Sequence, residues 1–217
     1  GKEVSGLIEG QCYDCRQASQ EVRQREEENA EWLRNILEGI GSPDRMKLEQ
    51  FTPTKGTQKA YDYALKFDPN SQSVYLWGHC GSGKTHLACG IAIDQFKKGC
   101  QVIVTTPRKI IRSMRGLDGE GEERRIQRYS KIQLLILDEI GLGADTVYAV
   151  ASLCEILDNR VNNQQSGVVF TSNLSLNDLA AQLKDDRLTS RINAMCDREK
   201  MESLADDGKK IDWRSRL

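Results

Sequence analysis

Residues Gly78 to Thr85 read GHCGSGKT, directly after the apolar run SVYLW and directly before the helical pattern THLACGIAIDQF. No other stretch restricts the fold as much. Its glycines let successive backbone N–H groups point at one anion, and a helix starting there adds the positive end of its dipole. The spacing fits G-x-x-x-x-G-K-[ST], a loop that cradles nucleotide phosphates. Gly78, Cys80, Gly81, Ser82, Gly83 and His86 belong to the predicted cradle. Lys84 is expected to reach the β- and γ-phosphates of ATP or the β-phosphate of ADP, and Thr85 to hold Mg2+ through its hydroxyl. Such a loop needs a buried strand feeding a helix. Three further apolar runs, at 102–106, 132–137 and 167–172, alternate with helical patterns such as Val147, Val150, Cys154, Leu157 and Val161. That alternation predicts an α/β fold with a parallel sheet covered by helices on both faces.

Two acids close the run LLILDEI. In open α/β sheets ligands gather at the carboxyl ends of strands, so Asp138 is placed to bind Mg2+, directly or through water, and Glu139 becomes the candidate general base. A base beside the γ-phosphate favours hydrolysis over transfer to a small acceptor, from which a kinase must exclude water. The run VVFTSN ends in Asn173, which is suited to orienting that water or simply to forming a turn. Farther on, DDRLTSRI sets Arg187 and Arg191 four apart, on one helix face. They are either solvated charges or, in this company, a source of positive charge for a neighbouring subunit's γ-phosphate.

GHCGSGKTHLA, LLILDEIG, VVFTSN and RLTSRI, in this order, resemble the AAA+ ATPases of the DnaC/DnaI helicase-loader and IstB group over about residues 48–217. The resemblance implies a five-stranded sheet of order 5-1-4-3-2 with its last strand near KMESLAD, and a reduced or absent helical lid. It also implies Asn173 as sensor 1, Arg191 as an arginine finger acting in trans, and Arg214 in the tail GKKIDWRSRL as a sensor-2-like arginine. The activity implied is ATP hydrolysis that loads a DnaB-type ring helicase onto single-stranded DNA, within an ATP-dependent homo-oligomer. The alternative is an IstB-like ATPase that assists a DNA transposase.

Residues 1–47 form an expected N-terminal helical and linker region ahead of the ATPase domain at 48–217. Cys12 and Cys15 in CYDC have the spacing of half a zinc site, with free thiols or a redox pair as the other readings. The resemblance implies a zinc-binding or helicase-docking segment there, and Gly at position 1 points to a processed or engineered start with ligands lost upstream. The formal net charge is -1, so any DNA surface must be local. One local excess exists: residues 108–131 carry eight Lys/Arg against four acids, predicted as two short helices around GLDGEG. In the resembling families an insertion at this point faces single-stranded DNA, and Lys109, Arg112 and Arg115 are the leading phosphate contacts. No apolar run approaches the roughly 20 residues of a membrane span, and the seven cysteines form no disulfide framework. A cytoplasmic protein is the expectation.

Overall fold

The computed structural model describes residues 45–70, 73–114, 121–143, 146–163 and 167–196. Four strands, β1 (Val74–Trp77), β2 (Val102–Thr105), β3 (Leu134–Leu137) and β4 (Val168–Ser172), pair in the order β1-β4-β3-β2. Every pairing is parallel, with Val74 opposite Val169, Leu135 opposite Val168 and Val102 opposite Leu134. This matches the predicted order for strands 1 to 4. The fifth strand, expected near KMESLAD, lies outside the described residues, as do Cys12, Cys15, Arg115 and Arg214.

Alternate residues of each strand go to different cores. Val74, Leu76, Val102, Val104, Leu134, Ile136 and Val169 pack under α1 (Gln58–Leu65) and α2 (Lys84–Lys97). Tyr75, Leu135, Leu137, Val168 and Phe170 pack under the other five helices among the described residues. These are α3 (Pro107–Met114), α4 (Glu122–Lys131), α5 (Val147–Asn162), α6 (Leu176–Leu183) and α7 (Arg187–Met195). Leu134 to Leu137 are buried completely or nearly so, which explains why β3 reads as an unbroken apolar run. Each of these side chains contributes about 1.5–3 kcal/mol by leaving water.

The predicted apolar stripe of α5 is correct in its middle only. Val150, Cys154 and Leu157 are buried, but Val147 and Val161 are 77% and 57% exposed because they lie on the first and last turns, past the edge of the core. The two helices expected around GLDGEG are α3 and α4, and both pack on α5. Three strand starts and one strand end fall one or two residues inside the predicted runs. Ser73, Thr106, Ile132, Gln133 and Gly167 flank the ladder instead of joining it.

Candidate functional site

Since all four strands are parallel, their carboxyl ends form one rim of the sheet, where the loop after β1, Asp138 and Glu139 after β3, and Asn173 after β4 lie. After β1 the chain turns through Gly81 (φ 78°) and Gly83 (φ 91°), left-handed values that glycine adopts without strain. At Gly83 the space is closed as well, because an added Cβ would lie 2.5 Å from the Phe51 ring. Gly83 caps α2, whose first residue is Lys84. The buried Lys84 ammonium donates to the carbonyls of Gly78 (2.9 Å) and His79 (2.8 Å) and to the Ser82 hydroxyl (3.3 Å). The loop thus holds its own cation over the α2 N-terminus. Cys80 is exposed at the crest of the loop.

His86, one turn into α2, donates from Nε2 to the Lys47 carbonyl at 2.9 Å and meets the Phe51 ring edge-on at 5.3 Å. Phe51 stacks in turn on Tyr61 of α1, with centroids 5.6 Å apart. The segment before β1 therefore braces the phosphate loop, a role the sequence reading did not give to Phe51.

Asp138 follows β3 and is buried, and its backbone N–H donates to Thr105 of β2 at 2.9 Å. Its Oδ1 accepts from Thr85 Oγ1 at 3.0 Å and from Thr171 Oγ1 at 2.6 Å. The predicted Mg2+ pair, Thr85 and Asp138, is thus in direct contact across 53 residues of sequence. Glu139 is exposed and adopts φ 57°, left-handed for a side chain that prefers otherwise. Its N–H donates to Thr171 Oγ1 at 2.8 Å, and the N–H of Ile140 donates to the Thr171 carbonyl at 2.8 Å. Ser172 Oγ donates to the Ile140 carbonyl at 2.9 Å, so β4 grips the turn after β3 through two consecutive side chains. Asn173 follows, exposed on the same rim. Sequence reasoning passed over Thr171, although the two hydroxyl residues that end the apolar run VVFTS were a signal that buried hydroxyls had to find partners there.

The donors fit Mg2+. A hydroxyl and a carboxylate are hard oxygen ligands, and Mg2+ keeps most of its water and takes one or two protein oxygens. Among the described residues no three His, Cys, Asp or Glu side chains gather as a metal cluster, so this donor set would rely on phosphate and water for the rest of the shell.

Arg187 and Arg191 stand on one side of α7, as expected, and each is paired within the chain. Arg187 binds the Asp185 carboxylate through Nε and Nη2 (3.0 and 2.6 Å), which holds that carboxyl well below its usual range, at about 2. Arg191 makes a two-pronged pair with Asp158 of α5, Nε to Oδ1 at 2.6 Å and Nη2 to Oδ2 at 2.8 Å, and its own pKa is raised by that bond. Lys109 and Arg112 are exposed on α3, whose other face buries Ile110, Ile111 and Met114. On α4, Arg124, Arg128 and Lys131 are exposed too, whereas Arg125 is turned inward and buried.

The family model described as IstB-like ATP binding protein matches residues 50–203, more than two thirds of the sequence. The chain belongs to the IstB-like ATP-binding protein family. The replicative helicase loader DnaC of Escherichia coli K12 is 31% identical over 120 residues, which cover 54% of this IstB-like chain and 49% of the loader. The ATP-binding protein of insertion sequence IS232 from Bacillus thuringiensis is 26% identical over 151 residues, covering 69% of this chain and 58% of that one. The chain therefore spans about half the length of the curated loaders it matches. A crystal structure of the DnaC helicase loader superimposes with a TM-score of 0.62 at 22% identity, over 73% of this chain and 97% of that one. The fold is that of an AAA+ P-loop protein. Among the described residues no helix is long and apolar enough to cross a membrane.

Proposed function

We propose that this chain is a Mg2+-dependent ATPase whose nucleotide cycle loads a DnaB-type ring helicase onto single-stranded DNA in the cytoplasm. The observation that carries the ATPase reading is the contact of Thr85 and Asp138 at the N-terminus of α2, beside Lys84 and one residue before Glu139. In this reading Lys84 leaves the carbonyls of Gly78 and His79 for phosphate oxygens when nucleotide enters. Bound Mg2+ supplies charge neutralisation on the phosphates, held by Thr85 and Asp138. Glu139 accepts the proton of the attacking water, and Asn173, on the neighbouring strand end, orients that water. Arg191 acts on the γ-phosphate of an adjacent copy in a homo-oligomer, which requires it to share or leave Asp158. Arg214 is the second arginine expected to sense nucleotide.

The likeness to DnaC supports the loading half of the reading, and so does the basic face of α3 and α4 in a chain of net charge -1. Lys109, Arg112 and Arg115 track phosphates, and residues 1–47, with Cys12 and Cys15, dock the helicase. A second reading, assistance to a DNA transposase, is favoured by the IS232 protein, whose similarity extends over more of this chain than that of DnaC. A pull-down from host extract with ATP present separates the two. Retention of a replicative helicase is the expected result, and retention of a transposase in its place would reverse the choice.

A further inference from the structure

We infer that Thr171 is a positioning residue for the nucleotide-bound metal and for the general base together, an inference that rests on the proposed roles of Asp138 and Glu139. Thr171 lies at the end of β4, 1% exposed, in register with Leu76 of β1. A threonine hydroxyl has one proton to give and lone pairs to receive. Here the proton goes to Asp138 Oδ1 at 2.6 Å, and the incoming bond is the N–H of Glu139 at 2.8 Å. One hydroxyl thereby ties the metal-side carboxylate to the backbone of the residue that follows it.

Two consequences follow for the chemistry. Thr85 and Thr171 both donate to Oδ1, so they approach one carboxylate oxygen from α2 and from β4 and fix the rotation of the Asp138 side chain. Thr85 keeps a lone pair for the cation while giving its proton to Asp138. The second consequence concerns Glu139, whose left-handed backbone (φ 57°) is strained for a residue with a side chain. Its N–H bond to Thr171 Oγ1 and the Ile140 N–H bond to the Thr171 carbonyl hold that conformation, and with it the place of the Glu139 carboxylate. Asn173 lies two residues beyond Thr171, just past the end of β4, so the residue proposed to orient the water is carried on the same strand end as the hydroxyl that holds Asp138 and the Glu139 backbone.

Thr171→Val tests this, because it keeps the volume and β-branching while removing only the hydroxyl. Thr171→Ala is measured alongside it, Thr171→Ser as the rescue and Asp138→Asn as the reference. Each full-length variant is checked by thermal melting, then titrated with Mg2+ while binding of a fluorescent non-hydrolysable ATP analogue is followed, with EDTA as the metal-free arm. In EDTA, Thr171→Val should bind the analogue as the parent does, since Lys84 and its loop are intact. Its half-saturating Mg2+ concentration should rise, and its kcat fall, by about 10- to 100-fold, the usual cost of removing a group that orients a metal ligand. Thr171→Ser should recover most of both. The inference is overturned if the folded valine and alanine variants keep the parental Mg2+ midpoint and kcat, or if serine restores neither. If Asp138→Asn also leaves the midpoint in place, the metal role of Asp138 fails and the inference fails with it. If Asp138→Asn moves the midpoint and Thr171→Val does not, only the role of Thr171 is lost.

Discussion

Lys84 and Glu139 act at different moments of the proposed cycle, the first in binding and the second in cleavage. The ammonium of Lys84 is one charge that binding itself requires, and its present carbonyl partners are weaker acceptors than phosphate. Lys84→Ala should therefore abolish nucleotide binding, lowering affinity by at least about 100-fold, the scale of a missing charge-assisted bond to phosphate. Glu139 is exposed beyond the turn, and Glu139→Gln keeps its size and its backbone bond to Thr171. Binding should persist and turnover should stop. ATP titration by anisotropy, paired with phosphate release, reads both variants; equal loss of binding in the two would remove the general-base role of Glu139.

At the scale of elements, α3 and α4 interrupt the alternation of strand and helix between β2 and β3. The buried face of α3 is anchored by Ile110, Ile111 and Met114, leaving Lys109 and Arg112 on the outer face, so the cations can be removed without disturbing the core. Replacing Lys109, Arg112 and Arg115 together by Ala should weaken single-stranded DNA binding and reduce its log–log salt slope by about 0.7 for each phosphate no longer neutralised. ATP affinity should be unchanged. A salt series with a labelled oligonucleotide measures this, and a parental slope would mean that the helix pair is only a solvated surface. Arg191 of α7 is paired with Asp158 of α5. Both are partly exposed, so Arg191→Ala should lower stability by no more than about 1 kcal/mol. Its effect should fall on ATP-dependent assembly and turnover. Mixing it with Lys84→Ala should restore some activity at interfaces that combine an intact Lys84 with an intact Arg191; two folded, co-assembling variants that show no recovery at any ratio would argue against action in trans.

Across the whole molecule, one buried cation joins parts that the nucleotide site does not reach. Arg160 of α5 is fully buried and donates to the carbonyls of Tyr129, Ile132 and Gly167 at 2.7–2.9 Å, and to that of Gln133 at 3.4 Å. It closes the C-terminus of α4 and pins the segments leading into β3 and β4 to one helix. Burial pulls its pKa down to about 10, still far above neutrality, so it remains charged. Arg160→Met fills the space but leaves those carbonyls short of donors, at a cost of about 2–4 kcal/mol. A thermal melt should show Tm lowered by about 5–10 °C, with Lys84-dependent nucleotide binding retained below the transition. An unchanged Tm would show that these carbonyls find other donors.

The phosphate loop, the parallel α/β sheet and the acids after β3 were legible in the sequence because each is local. GHCGSGKT sets its own backbone through glycine, LLIL is buried on both faces, and DEI has to follow it at the strand's end. The tertiary structure alone decided the partnerships between distant segments. Thr171 meets Asp138 across 33 residues and Thr85 meets the same carboxylate across 53, because parallel strands bring their carboxyl ends to one rim. The same holds for Arg191, whose spacing from Arg187 showed a shared helix face but could not show that Asp158, on another helix, would hold its guanidinium. Hydrogen bonds of a buried hydroxyl or a guanidinium are settled by what packs beside it. That is a property of the folded chain, and no spacing along the sequence encodes it.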